Sequence, residues 1–538
     1  MAGQERDYDV VVVGFGMAGA CAAIAAAESG ASVLVIDRAL GGGASALSGG
    51  VVYAGGGTPY QREAGFDDTP ENMFDYLRQE IEGVVDDETL RRFCDDSAAQ
   101  IGWLERHGAR FAGSLCDYKT SYPTDRHYLY FSGNENAYPF NLGARPAPRG
   151  HRQVAKGMSS GRVLWEALRD AALAAGVTFL PLTRAESLVL AEDGEIAGIS
   201  CRTMPDDGSS RWRRCRRATA RGTKLINWVP PVGKYFGRRA RRIWDHAATA
   251  RTVNASAVVL TAGGFIFDRD MVRRHAPAHL LVSPLGTEGD DGSGIRLGCS
   301  AGGVTAHLDR VTAWRFISPP SAMIDGISVG ACGTRIANED LYGATHAGRM
   351  IEGFDGKGFL ILDTAMWKRA RSQYLSQTQL FQRAMMAPAF TVAHRKARTL
   401  TELATKLGVS AAGLEASVDA YNTAIRSGDE DPCHKAGVVR APIERPPFYG
   451  VDISLKSSPF DFVPGLTLGG LVVDPHSGQV RRADGTCVTG LYAAGRTAVG
   501  VCSNSYVSGL SLADCVFSGR RAGEHAALQR TGTAPRPG

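Results

Sequence analysis

The sequence has no stretch approaching the roughly 20 consecutive apolar residues that a helix needs to cross a bilayer, which excludes a helical membrane span as its organising element. It also lacks an apolar run at its start. The opening "MAGQERDYDVVVVG" carries charges where an export signal needs hydrophobic residues and passes directly into a strand, so the chain is expected to be made and kept in the cytosol. Eleven cysteines are scattered from Cys21 to Cys515 without one C-x-x-C pair, so zinc and dithiol-redox spacings are missing and no metal site is expected. An odd count without an export signal favours reduced thiols, and Cys502 reads as a small buried thiol rather than a nucleophile. Acidic residues are almost absent from one place. Between Arg211 and Asp245 twelve lysines and arginines face a single aspartate, an excess larger than the net +5 of the whole chain, so this is a basic patch on an otherwise acidic protein.

What is present is the composition of a folded globular chain, with 44% apolar and 21% charged residues. At 538 residues it exceeds what one hydrophobic core serves, so two or more lobes are expected.

The segment "DYDVVVVGFGMAGACAAIAAAESGASVLVID" reads as strand, glycine turn, helix and second strand. Gly14, Gly16 and Gly19 form G-x-G-x-x-G, Met17 and Ala18 between them are expected cofactor contacts, and "ACAAIAAAESG" is a strong helix former ending at Gly30. These glycines allow a tight turn, close backbone approach to a pyrophosphate and close helix packing, while the helix N-terminus faces the phosphate charge. Asp37, followed by Arg38, stands 18 residues beyond Gly19, where an acid accepts from ribose hydroxyls. A nicotinamide-binding chain would continue with regular strands and helices. This one runs into "GGGASALSGGVVYAGGGTPYQ", where Ala44, Ser45, Ser48, Gly49 and Gly50 can wrap amides and hydroxyls around a second phosphate and a flavin, so FAD is expected; a flexible linker is the other reading of the same composition.

With these pieces in place the chain resembles the flavoprotein superfamily of fumarate reductases, succinate dehydrogenase flavoprotein subunits and 3-ketosteroid dehydrogenases. Besides the N-terminal motif, the matching segments are "GGGTPYQREAGFDDTPENMFDYL", "VVLTAGGF", "GDDGSGIRLG", "GTRIANED", "TLGGLVVD" and "GLYAAGR", in the family's order. The resemblance implies an α/β fold. A Rossmann-like FAD-binding domain over 1–303 and 466–530 would be interrupted by an α+β substrate or capping domain over 304–465, with 531–538 a flexible tail. It adds Ala262, Gly263, Gly264, Gly495, Arg496, Ser511 and Leu512 to the residues expected around the flavin, the last two at the start of a helix whose dipole would stabilise its reduced form. The glycine-rich segment lacks the histidine that succinate dehydrogenases bond to flavin, so FAD is expected to be noncovalent.

The tail "GVCSNSYVSGLSLAD" contains nothing to clamp a dicarboxylate. It is similar instead to 3-ketosteroid Δ4-(5α)-dehydrogenases, which carry Tyr-x-Ser there, matched by Tyr506 and Ser508; Tyr342 in "NEDLYG" matches a further family tyrosine, and "YPFNLGARPAPRGHR" is also like that branch. The resemblance implies proton abstraction by Tyr506, a relay or stabilising role for Tyr342 and a hydrogen bond or proton transfer from Ser508, the last two roles being exchangeable. Arg335, Asn338, Glu339, His151 and Arg152 are read as loop-fixing residues. The implied substrate is a small, hydrophobic, steroid-like ketone. A flavin-dependent ene-reductase or a Δ1-type desaturase remains open, as does the external electron acceptor or donor. The basic run, interleaved with Trp212, Trp228, Tyr235, Phe236 and Trp244, resembles a peripheral membrane contact at the inner face, a plain solvated excursion being the alternative; nucleic acid has no other support.

Overall fold

In a computed structural model, residues 7–436, 440–456 and 463–528 are described; the expected tail 531–538 lies outside them. The strand Tyr8–Val13 is a run of valines with no polar face, and Val10, Val11 and Val12 are fully buried. It lies inside an eight-stranded sheet whose main path runs Gln479–Arg481, Cys487–Ala493, Thr249–Leu260, Tyr8–Val13, Val33–Ile36, Thr178–Leu180. From Cys487–Ala493 to Thr178–Leu180 the pairings are parallel, with Val10 opposite both Val33 and Ala257, and Leu491 opposite Val258. The long strand Thr249–Leu260 also pairs antiparallel with Ile196–Thr203, which closes on Thr183–Leu190.

The helix Met17–Glu28 is buried from Met17 through Ala26, because small side chains let it sit between this sheet and the helix Leu510–Leu528. A Cβ on Gly519 would lie 2.5 Å from the Ala18 carbonyl oxygen, and one on Gly523 only 2.2 Å from that of Ala22. The two helices therefore meet backbone to backbone.

A second core forms around the antiparallel sheet Ile327–Val329, Phe359–Leu362, Phe448–Asp452, His394–Ala397, covered by Met366, Trp367, Leu403 and Tyr421. The chain crosses between the two cores through Val311–Ala313 and Pro464–Thr467, which pair antiparallel. Ile317, Met323 and Ile324 belong to this second core.

The basic run folds as two helices, Ser210–Leu225 and Pro230–Asp245, packed on each other between Ile196–Thr203 and Thr249–Leu260. Close contact at Gly222, where a Cβ would stand 3.1 Å from the Gly237 nitrogen, brings their axes together. Trp244 anchors the pair: its indole N–H donates to the Leu182 carbonyl at 2.7 Å, and the guanidinium groups of Arg184 and Arg202 lie 4.6 and 4.9 Å from its ring.

Replacing Gly523 by valine forces apart the helices Met17–Glu28 and Leu510–Leu528 and is expected to cost about 1–3 kcal/mol, read as a lower urea midpoint at unchanged slope. Gly353→Ala, where nothing lies within 4 Å of the added carbon, is expected to leave the midpoint unchanged or raise it.

Candidate functional site

One cavity of about 1140 Å³ opens between the C-terminal ends of the parallel strands and the second core, large enough for a dinucleotide and a further small molecule. Its nucleotide end is built by the glycine turn. Gly14 has φ +103°, and a Cβ there would stand 2.6 Å from the Thr261 carbonyl oxygen, so this position requires glycine. The Thr261 hydroxyl donates to the carbonyls of Val13 and Gly14 at 3.0 and 2.8 Å, tying the turn to the neighbouring strand. Ser45 Oγ accepts from the Met17 N–H at 3.0 Å, which brings the second glycine-rich segment over the helix N-terminus. Asp37 accepts from the amides of Phe15 and Ala39 at 2.9 and 2.7 Å and lines the cavity. Arg38 lines it too but is paired with Asp291 at 2.5 Å, and that arginine holds the Asp291 carboxyl below its usual range against the opposing effect of burial.

Gly16, Ala18, Ala44, Ser48, Gly49, Gly50, Ala262, Gly263, Arg496, Ser511 and Leu512 line the same cavity. Three expected contacts do not. Gly19 lies beneath the turn, where a Cβ would fall 1.9 Å from the Gly14 carbonyl oxygen; Gly264 faces the Thr467 hydroxyl; Gly495 packs on Ala18 and Cys515. In each the missing side chain leaves room for neighbouring protein atoms.

This end fits a dinucleotide flavin. The turn offers backbone without side chains, the helix N-terminus faces the cavity, and Arg496, 9% exposed, keeps Nη2 on Asp290 at 2.6 Å while its buried Nη1 has no hydrogen-bond partner among the described residues. Gly14, Gly16, Met17, Asp37, Ser45 and Arg496 would hold such a cofactor. No group of three or more metal-ligating side chains occurs among the described residues. The Cys502 thiol is buried, and burial followed by the nearby Asp514 raises its pKa well above the ordinary value.

The other end of the cavity is aromatic. Tyr506 packs on Trp314 with ring centroids 5.0 Å apart, and Tyr342 meets Phe316 edge-on at 5.6 Å. Tyr342, Tyr506 and Ser508 all line this end, although 506 and 508 come from the segment before Leu510–Leu528 and 342 from the start of the helix Gly343–Phe354. Behind Ser508 stands Tyr130, with its hydroxyl 2.9 Å from Ser508 Oγ and its side chain buried. Burial raises the pKa of Tyr506, Tyr342 and Tyr130; for Tyr342 the neighbouring Tyr506 and Tyr130 add to it, while its hydrogen bond with Ser508 opposes it. All three are therefore neutral phenols at pH 7.

A buried carboxylate holds the two tyrosine-bearing segments in register. Glu80 accepts from Tyr76 Oη at 2.5 Å, Asn134 Nδ2 at 2.6 Å and Ser505 Oγ at 2.9 Å. Asn134 in turn accepts the Tyr342 backbone N–H at 2.6 Å. Arg335, Asn338 and Glu339 face other partners: Arg335 bridges Glu339 and Asp431, and Asn338 caps the Leu341 amide. Arg152 donates to Ser160, Asp125 and the carbonyls of Pro123, Thr124, Ala155 and Gly157, and His151 lies 2.8 Å from Thr58 Oγ1. These are bonds that fix loops.

Sequence reasoning missed Tyr130, Glu80 and Asn134, whose links to Ser508, Ser505 and Tyr342 span more than 200 positions. It also missed that the basic helix pair forms a wall of the cavity through Thr219, Ile226, Asn227 and Trp228, facing Phe381 and Met385.

Residues 9–512 match the family model described as FAD binding domain. The chain is 39% identical over 496 residues to a 3-oxo-5-alpha-steroid 4-dehydrogenase of Comamonas testosteroni, covering 90% of this chain and 92% of the relative. It is 25% identical to a vinyl phenol reductase of Lactiplantibacillus plantarum, covering 97% and 96%. Its fold matches the crystal structure of a 3-ketosteroid-delta4-(5alpha)-dehydrogenase from Rhodococcus jostii, in complex with 4-androstene-3,17-dione, with TM-score 0.81 at 32% identity over 98% of both chains.

Gly14→Ala is expected to remove most of the flavin from the purified protein, read as the ratio of 450 nm to 280 nm absorbance, with the far-ultraviolet circular dichroism retained.

Proposed function

The chain belongs to the FAD-binding flavoprotein family as an FAD-dependent oxidoreductase, and on that footing we propose that it introduces a carbon–carbon double bond beside the ketone of a steroid-like polycyclic substrate. The observation that carries this reading is the convergence of Tyr506, Ser508 and Tyr342 at the aromatic end of a cavity whose other end is a dinucleotide cradle. A polycyclic ketone of mostly apolar surface suits walls made by Trp314, Phe316, Leu466 and Met386.

Desaturation next to a carbonyl removes one hydrogen as a proton from the α carbon and one as a hydride from the β carbon. FAD, when bound, supplies the hydride acceptor. The phenolate form of Tyr506, a minority at pH 7, takes the α proton at its phenolic oxygen and becomes the phenol. Tyr342 or Ser508 donates a hydrogen bond to the ketone oxygen, which stabilises the negative charge that grows there. Ser508 is in contact with Tyr130, so a proton that reaches the Ser508 hydroxyl can be passed to a hydroxyl behind the reacting face, each accepting one proton while passing on another. Two electrons leave the substrate per turnover, so an external acceptor closes the cycle. Where a lipid-dissolved ketone is the substrate, peripheral contact through residues 211–245 would bring the enzyme to it.

One observation favours the opposite direction. Burial keeps Tyr506 protonated, as a proton donor to an enone must be. An ene-reductase using the same residues is therefore the second reading.

Mixing the oxidised enzyme anaerobically with saturated 3-ketosteroids is expected to bleach the flavin and yield a product lighter by two hydrogens. No bleaching, together with reoxidation of the reduced enzyme by an enone, would replace desaturation by reduction. Tyr506→Phe is expected to lower the bleaching rate by about 10²–10⁴ with flavin retained, and Tyr130→Phe to lower it less. Because the Tyr506 pKa is raised above its ordinary 10.0, the phenolate fraction grows with every unit of pH below that value. The desaturation rate is thus expected to climb up to pH 10 without a plateau, whereas reduction with Tyr506 as acid stays flat over the same interval.

A further inference from the structure

The surface around the cavity mouth combines exposed apolar side chains with a dense positive field. Among the described residues thirteen large hydrophobic side chains are strongly exposed, and eight of them fall in two short segments: Trp228, Val229, Val232 and Tyr235 at the tip of the basic helix pair, and Leu375, Leu380, Met385 and Val392 in and beside the helix Leu380–Thr391. Such concentration is unlike the scattered single residues of an ordinary surface. The two segments meet at the opening. Trp228 lies edge-on to Phe381 with ring centroids 6.5 Å apart, and Trp228, Phe381 and Met385 all line the cavity. Trp228 is 55% exposed and Met385 38%, so the same side chains face both the interior and the outside.

Around this rim the charge is predominantly positive, although Asp125, which pairs with Arg152 and accepts from Gln379 beside Leu380, places an acid on the side of the second segment. Arg221, Lys224, Lys234, Arg238 and Arg239 are exposed on the two helices, with Glu288 against Gly237 the acid beside them and Asp245 at the far end of the second helix. Long basic side chains can lie along an apolar surface and reach phosphate with their tips, while tryptophan and tyrosine favour the boundary between headgroups and acyl chains.

We infer that this rim docks on an anionic phospholipid bilayer and admits an apolar substrate between Trp228 and Phe381 directly from the lipid. The delivery clause rests on the steroid-like substrate reading above; the docking does not. Charge complementarity selects an anionic surface, since each basic residue near it strengthens the attraction. The apolar tip selects a bilayer over nucleic acid, because Val229, Val232 and Leu380 offer a phosphate backbone nothing to bond.

The holoenzyme is to be sedimented with phosphatidylcholine vesicles with and without phosphatidylglycerol. The expected result is partitioning onto the anionic vesicles stronger by at least roughly tenfold than onto neutral ones. A variant carrying Val229→Ser, Val232→Ser, Tyr235→Ser and Leu380→Ser, none of which lines the cavity, is expected to lose most of that binding. Its turnover of a ketone delivered from water should match the wild type, and its turnover of the same ketone delivered in anionic vesicles should fall. A second variant, Arg238→Glu with Arg239→Glu, is expected to lose the preference for anionic lipid. Equal partitioning of wild type and apolar-tip variant overturns the docking surface, as does tighter binding to duplex DNA than to anionic vesicles at the same salt. Vesicle binding as expected, with no ketone turned over in either form of delivery, supports the docking and overturns the substrate reading and the delivery that rests on it.

Discussion

The close backbone contact between Gly14 and Thr261 is the constraint on which the cofactor cradle depends. It joins positions 247 residues apart and sets the depth at which the first helix enters beside the sheet. Because Gly14 presses on Thr261, the backbone of Ala262 and Gly263 reaches the cavity directly beside the glycine turn. The second half of the same arrangement is made by Gly519 and Gly523, which let the last long helix lie on the first. That helix carries Ser511 and Leu512 into the cavity and, immediately before it, Ser508 and Tyr506. Small residues far from any proton transfer thus determine the separation between the cofactor cradle and the phenols.

Burial shapes the chemistry at the aromatic end more than any single charge does. Four aromatic rings surround the reacting position, and the phenols among them are pushed toward the neutral form. Glu80 is also buried, and burial raises its pKa even though Tyr76, Asn134 and Ser505 all bond to it. Its usefulness lies in geometry: one side chain reaches both the amide partner of Tyr342 and the serine preceding Tyr506. A displacement of either segment would leave a polar group without its partner in a dry interior, at a cost of about 1–3 kcal/mol.

Much of the nucleotide half could be read from the chain because its signals are local. Gly14, Gly16 and Asp37 sit within one strand–turn–helix–strand unit, and their spacing carries the meaning. Gly19 fills the packing role the motif assigns to a glycine, while the neighbours of Gly264 and Gly495, Thr467 and Ala18 with Cys515, are not visible in the sequence. The phenols at 342 and 506 were accessible through family resemblance, whereas Tyr130 was not, since its strand is two residues long and its partner lies 378 positions away. Glu80 has one local partner, Tyr76 a helical turn earlier, but nothing local marks its bonds to Asn134 and Ser505. The basic run was legible as a patch, but composition could not say that its helices pack on each other and wall the cavity, which follows from the anchoring of Trp244 on Leu182.

The pairing of Cys487–Ala493 with Thr249–Leu260 also imposes an order in time. During synthesis the edge Val258–Leu260 emerges long before its partner, and at about 5–20 residues per second the roughly 230 intervening residues take ~10–50 s to appear. For that interval the nascent chain carries an unpaired, wholly buried-type strand edge, a template for unwanted association. The second core, made almost entirely within that interval, can fold while the first waits. Ribosome-bound chains of this protein therefore pass through a half-assembled stage in which a chaperone has more to protect than in the finished enzyme.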